Sequence, residues 1–127
     1  MKTIRQTATI RGATPHDVYE TLMDSKNTKP SVSRTTVSRR VGGPFRVGRD
    51  LEGTNLALIK DKKIVQSWRA NNWPTGRYSK ATFALAKTRG GTRITFTQTS
   101  VPDEFHREIR DGWREHYWEP LKKQFAK

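Results

Sequence analysis

The sequence predicts an α+β fold. A strongly curved antiparallel sheet of about seven strands wraps around a long C-terminal helix, with one shorter helix near the N-terminus. Three observations carry this. The 127 residues are enough for one domain with one core. Several strand-like runs are joined by hairpin-length breaks rich in Gly, Pro and Asp. Helical segments flank them, so the order is strand, helix, six strands, helix.

Residues 3–11 alternate, with Ile4, Ala8 and Ile10 on one face, and read as the first strand. Thr14-Pro15-His16-Asp17 reads as a helix start, with a capping hydroxyl, proline at the first helical position and an acid in the first turn. Val18 and Leu22, joined by Tyr19 and Met23, form its buried stripe. Asp24-Ser25-Lys26-Asn27 ends it, and Lys29-Pro30-Ser31 is a loop. Strands are expected at about 32–41, 44–48, 51–60, 63–70, 77–87 and 91–100. Turns fall at Gly42-Gly43-Pro44, Gly48-Arg49-Asp50, Lys60-Asp61-Lys62, Trp73-Pro74-Thr75-Gly76 and Arg89-Gly90-Gly91. Pro102, with Asp103 and Glu104 behind it, opens a last helix that runs to about residue 125.

Strand alternation predicts the inward faces. They are Ile64, Gln66, Trp68 and Ala70; Ser79, Ala81, Phe83 and Leu85; Thr92, Ile94, Phe96 and Gln98; and Leu56 with Leu58. Arg69, Lys80 and Arg93 face outward. On the last helix, the α-helical period places Phe105, Ile109, Gly112, Trp113, His116 and Pro120 in one inward arc, flanked by Tyr117. Leu121, Phe125 and Trp118 lie further round. Gly112 is expected to permit close approach to the sheet, and Pro120 to bend the helix.

The formal net charge is +13. Residues 33–96 hold fourteen of the bases against three acids, so this region carries +11 of it. A surface of that kind attracts polyanions whatever their sequence, and it also serves simply to solubilise a small protein and guard strand edges. The absence of cysteine excludes disulfides, thiolate metal sites and cysteine nucleophiles. No apolar run reaches the ~20 residues of a membrane span, and the first residues lack a signal peptide's apolar stretch. A cytoplasmic protein is the expectation.

The matching pieces of a known family are distributed along nearly the whole chain. They are Thr14-Pro15 through Asp24, Val41-Gly42-Gly43-Pro44-Phe45, Glu52-Gly53-Thr54-Asn55-Leu56 and Lys63 through Arg69. They continue with Trp73-Pro74-Thr75-Gly76, Tyr78-Ser79, Thr92 through Thr99, Val101-Pro102, Gly112-Trp113 and Tyr117-Trp118-Glu119-Pro120-Leu121-Lys122. In these the chain resembles the C-terminal domain of the activator of heat-shock protein 90 ATPase and the stand-alone domains like it. That group belongs to the START-like, birch-pollen-allergen-like helix-grip superfamily. The resemblance implies a sheet gripping the last helix, with a mostly apolar cavity for hydrophobic small molecules. It does not imply one activity. Three departures stand out: the polar loop Lys29-Pro30-Ser31, the turn Gly48-Arg49-Asp50, and the excess of Arg and Lys. They raise the alternative of an engineered or recruited basic variant.

Candidate ligand-binding residues follow from the inward faces: His116, Trp113, Tyr117, Trp68, Gln66, Gln98, Ser79, Phe83, Phe45 and Trp73. Gln6 is a further polar residue at inward phase. His116 is the sharpest, because an imidazole beside two aromatics can bond a ligand or shuttle a proton near neutral pH. The plainer reading is a histidine bonded to a backbone carbonyl, and aromatics at these spacings also serve as core. The acids of the last helix interleave with Arg107, Arg110 and Arg114, as on a solvated ion-pair face. His16, His106 and His116 have no metal-ligand spacing among themselves, and neither Gly-Gly pair has a phosphate-loop pattern. No catalytic residue, metal or cofactor is therefore assigned; His116 is the acid or base if there is catalysis at all. The leading expectation is a non-catalytic binding domain for a hydrophobic or amphipathic small molecule. The alternatives are a heat-shock protein 90 co-chaperone-like interaction module and a weak, non-specific binder of nucleic acid or other polyanions through the outer sheet face.

Overall fold

A computed structural model describes residues 1–23, 35–47 and 51–126. The expected helix end at Asp24–Asn27, the loop Lys29-Pro30-Ser31 and the turn Gly48-Arg49-Asp50 lie outside the described residues. Seven strands form one antiparallel sheet: β1 Lys2–Arg11, β2 Thr35–Val37, β3 Pro44–Val47, β4 Leu51–Ile59, β5 Lys63–Ala70, β6 Ser79–Thr88 and β7 Gly91–Val101. Their order is β1-β7-β6-β5-β4-β3-β2. β2 to β7 are sequential neighbours, and β1 closes on β7. The expected strand at 32–41, whose residues 32–34 lie outside the described residues, ends at Val37, because Ser38–Gly43 turns: Gly43 N–H donates to Arg40 O and Gly42 N–H to Asn55 O.

Helix α1 spans Pro15–Leu22 and starts as its sequence dictates. Thr14 Oγ1 accepts from Asp17 N–H and Asp17 Oδ2 accepts from Thr14 N–H, each at 3.0 Å. This reciprocal cap satisfies two donors that a helix start leaves open. Val18, Tyr19 and Leu22 are buried beneath it.

Most of the expected inward faces are the core. Ile64, Trp68, Ala81, Phe83, Ile94 and Phe96 are all at most 3% exposed. Leu56 is the exception and corrects the expectation: it is 47% exposed. Asn55 pairs with Gln66 and Ala57 with Val65, so Leu56 is the extra residue of a β-bulge. The bulge leaves Asn55 fully buried in its place, while Leu58, opposite Ile64, still packs on the core. Phe45 is buried against Gly53. A Cβ there would lie 2.4 Å from the Phe45 ring and closer still to Ser67 O, so only glycine fits.

The C-terminal helix is not regular. Helix α2, His106–Trp113, passes into a π turn at Arg114–Trp118 and then into helix α3, Glu119–Phe125. The Glu119 N–H reaches back five residues to Arg114 O. Pro120 has no N–H to give the His116 carbonyl, so the α ladder is interrupted there, and the wide turn stands immediately upstream. The bend is thus spread over Arg114–Trp118 rather than centred on Pro120. Gly112 does not mediate close approach as expected: a Cβ there would meet only His116 Cδ2, at an ordinary 3.9 Å.

Candidate functional site

The π turn decides which side chains enter the interior. One extra residue per turn advances the helix phase by about 100°. Trp118 therefore follows Trp113 inward, and both are at most 4% exposed. His116, expected on the inward arc, is exposed instead. That exposure corrects its expected inward placement. Trp118 was missed because an uninterrupted α period puts it off the inward arc; Pro120, two residues on, was the available signal.

Trp113 is the hub of the interior. Its ring centroid lies 4.4 Å from Phe96, 4.4 Å from Tyr117, 5.6 Å from Phe83 and 5.7 Å from Trp68. Trp73 lies 5.3 Å from Trp68 in an edge-on contact and extends the cluster toward Phe105. Separations of 4.5–7 Å are those of directly packed rings. Trp68, Trp73, Phe83, Trp113 and Tyr117 are thus brought together; Phe45 stands apart on β3 over Gly53.

The inward polar residues hold one another. Trp113 Nε1 donates to Gln98 Oε1 at 2.7 Å, Gln98 Nε2 to Ser79 Oγ at 2.7 Å, and Ser79 Oγ to Trp68 O at 2.9 Å. Trp118 Nε1 donates to Gln6 Oε1 at 2.6 Å, and Gln6 Nε2 to Arg110 O at 2.8 Å. Gln66 Nε2 donates to Asn55 Oδ1 at 3.0 Å, and Asn55 Nδ2 donates to Ser38 O and Arg40 O. Each glutamine uses both its donor and acceptor ends or ties two strands, as buried amides must. Gln66, Gln98 and Ser79 therefore work as fasteners between sheet, helix and turn.

Two indoles are not satisfied in this way. Trp68 Nε1 and Trp73 Nε1 are buried with no hydrogen-bond partner. Both are donor-only groups, so what they lack is an acceptor. Arg69, expected on the solvated outer face, is only 15% exposed. Its guanidinium donates to Trp73 O at 2.7 Å and lies 5.9 Å from the Tyr78 ring centroid, clamping the Trp73-Pro74 turn.

Outside, the bases Arg46, Lys63, Arg77, Lys80, Lys87 and Arg93 are exposed. A groove of about 330 Å³ opens there, lined by Arg46, Glu52, Thr54, Ser67 and Tyr78 among others. No helix among the described residues is long and apolar enough to cross a membrane.

A seven-stranded antiparallel sheet closed over an aromatic C-terminal helix defines a START-like helix-grip domain. The sequence profile described as "Activator of Hsp90 ATPase homolog 1-like protein" matches residues 12–126, and the chain belongs to that family. It is 27% identical over 115 residues to an activator of 90 kDa heat shock protein ATPase homolog from Dictyostelium discoideum, covering 88% of this chain and 30% of that one. It is 29% identical over 86 residues to the human activator homolog 1, covering 67% of this chain and 25% of that one. The chain thus spans about a third or less of the length of these relatives. Two solved structures share the fold. A Plasmodium falciparum HSP90 activator superposes with a TM-score of 0.87 at 18% identity, covering 98% of this chain and 96% of that one. The Aha1 dimer from Colwellia psychrerythraea gives 0.82 at 19%, with the same coverages.

Proposed function

We propose that this domain is an interaction module for a heat-shock protein 90-type chaperone and works through its outer surface. The carrying observation is the closed interior hydrogen bonding: Gln98 and Gln6 spend their amides on Trp113 and Trp118. Polar groups consumed in this way do not select a ligand. The family match and the names of the relatives supply the partner class. The exposed bases of the outer face supply a contact surface suited to an acidic partner, and the groove, where Arg46 stands opposite Glu52 beside Tyr78, gives that face its shape. Calorimetric titration with a heat-shock protein 90 homologue tests this. Saturable binding that weakens in Arg46→Glu and Tyr78→Ala is expected; a partner that binds wild type and both variants equally places the contact elsewhere.

The small-molecule reading keeps one specific support. The indole N–H groups of Trp68 and Trp73 are buried without acceptors, and a ligand oxygen reaching either one would satisfy it. Extraction of the purified protein followed by mass spectrometry checks it. A stoichiometric amphipathic compound supports the reading, and an empty extract from material that binds no apolar fluorescent probe opposes it.

A further inference from the structure

Histidine spacing alone shows no metal site, yet the fold assembles a set of donors from two separate elements. His16 and Glu20 stand one helical turn apart on α1, held in register by the Thr14–Asp17 cap. Asp61 comes from the β4–β5 turn, 45 residues away, and its Oδ1 lies 2.9 Å from His16 Nδ1. One ligand atom from each of His16, Glu20 and Asp61 lies within 4.8 Å of the other two.

We propose that His16, Glu20 and Asp61 form a binding site for a divalent transition-metal ion of the zinc class. One imidazole with two carboxylates suits such an ion, whereas a magnesium or calcium ion takes oxygen donors. Three donors held at about 2.1 Å in a tetrahedral arrangement sit roughly 3.4 Å apart, so the His16–Asp61 pair, at 2.9 Å, opens by about half an ångström while the wider pairs, within 4.8 Å, draw in. Water completes the coordination on the open side. The bound ion joins α1 to the β4–β5 turn and ties the helix to the sheet more firmly than the His16–Asp61 contact alone.

The neighbouring charges set the strength of the site. Arg39 donates to Glu20 Oε2 at 2.6 Å and competes for that carboxylate. Lys60 and Lys62 flank Asp61 and repel a cation. Asp17 is held in the helix cap and is not a ligand. Removing Arg39 is therefore expected to strengthen the site.

The test is titration of the full chain with zinc chloride, followed by calorimetry and by the NMR resonances of the His16 ring, with magnesium chloride as the contrast. One equivalent of zinc should shift the His16 resonances and raise Tm, and magnesium should do neither. His16→Gln and Asp61→Asn should each weaken zinc binding by about tenfold or more. Arg39→Gln should tighten it. Asp61 has a left-handed backbone, φ 62°, which asparagine also accepts, so Asp61→Asn preserves the turn. Circular dichroism verifies that each variant is folded. Zinc binding unaltered in folded His16→Gln and Asp61→Asn overturns the proposal, and so does a wild-type chain that does not bind zinc.

Discussion

Trp113 and Trp118 stack with ring centroids 5.8 Å apart and 20° between their planes, although five residues separate them. A regular α-helix does not place residues i and i+5 on one face; the π turn at Arg114–Trp118 does. Trp118→Ala is therefore expected to cost about 3–5 kcal/mol, as for other buried aromatics. His116→Ala, at an exposed position of the same turn, should stay within about 0.5 kcal/mol of wild type. Urea denaturation of the two variants checks the pair, and a large loss for His116→Ala contradicts the assigned phase.

Gly112 sits at the end of α2 with room for a methyl group and no left-handed backbone requirement. Gly112→Ala is expected to stabilise the domain by about 0.5–1 kcal/mol, through helix propensity and a less flexible unfolded chain. A lower denaturation midpoint would show that the sheet does approach the helix at this position.

Gln98 ties Trp113 to Ser79 through both ends of its amide. Gln98→Leu keeps much of the volume and removes both bonds, leaving the buried Trp113 indole N–H unmatched at roughly 1–3 kcal/mol, while Ser79 keeps its bond to Trp68 O. A double-mutant cycle with Trp113→Phe should show a coupling above about 0.5 kcal/mol. Strict additivity would mean that the contact contributes nothing.

Alkaline pH offers a separate check. Loss of hydration raises both Tyr117 and Tyr19 above the ordinary value of 10.0, strongly for Tyr117. A raised acid stays neutral in the fold while its unfolded counterpart ionises. The stability it contributes is intact below pH 10.0 and is lost as pH rises above it. Denaturation midpoints of wild type and Tyr117→Phe, compared from about pH 8 to about pH 11, should converge or cross as the wild type loses stability faster. A pH-independent difference refutes this.

Strand faces were legible because alternation and turn chemistry are local. Ile64, Trp68, Phe83, Ile94 and Phe96 are where a two-residue period places them. Leu56 and His116 escaped for a common reason. Each sits at a one-residue insertion, a β-bulge in one case and a π turn in the other, and such an insertion shifts phase without changing composition. Arg69 escaped because its side chain folds back onto the Trp73 carbonyl, a contact invisible to a face assignment. The trio His16, Glu20 and Asp61 was out of reach because α1 and the β4–β5 turn meet only in three dimensions.

The most direct test of an outward-facing function is binding of the purified domain to a heat-shock protein 90 homologue, measured with and without excess heparin. The proposed role predicts one saturable site that heparin weakens by competition, that an unrelated acidic protein does not reproduce and that Arg46→Glu weakens, while Gln98→Leu, if folded, binds as wild type. No binding at about 50 mM salt, where charge attraction is strongest, would contradict it. So would binding that an unrelated acidic protein reproduces.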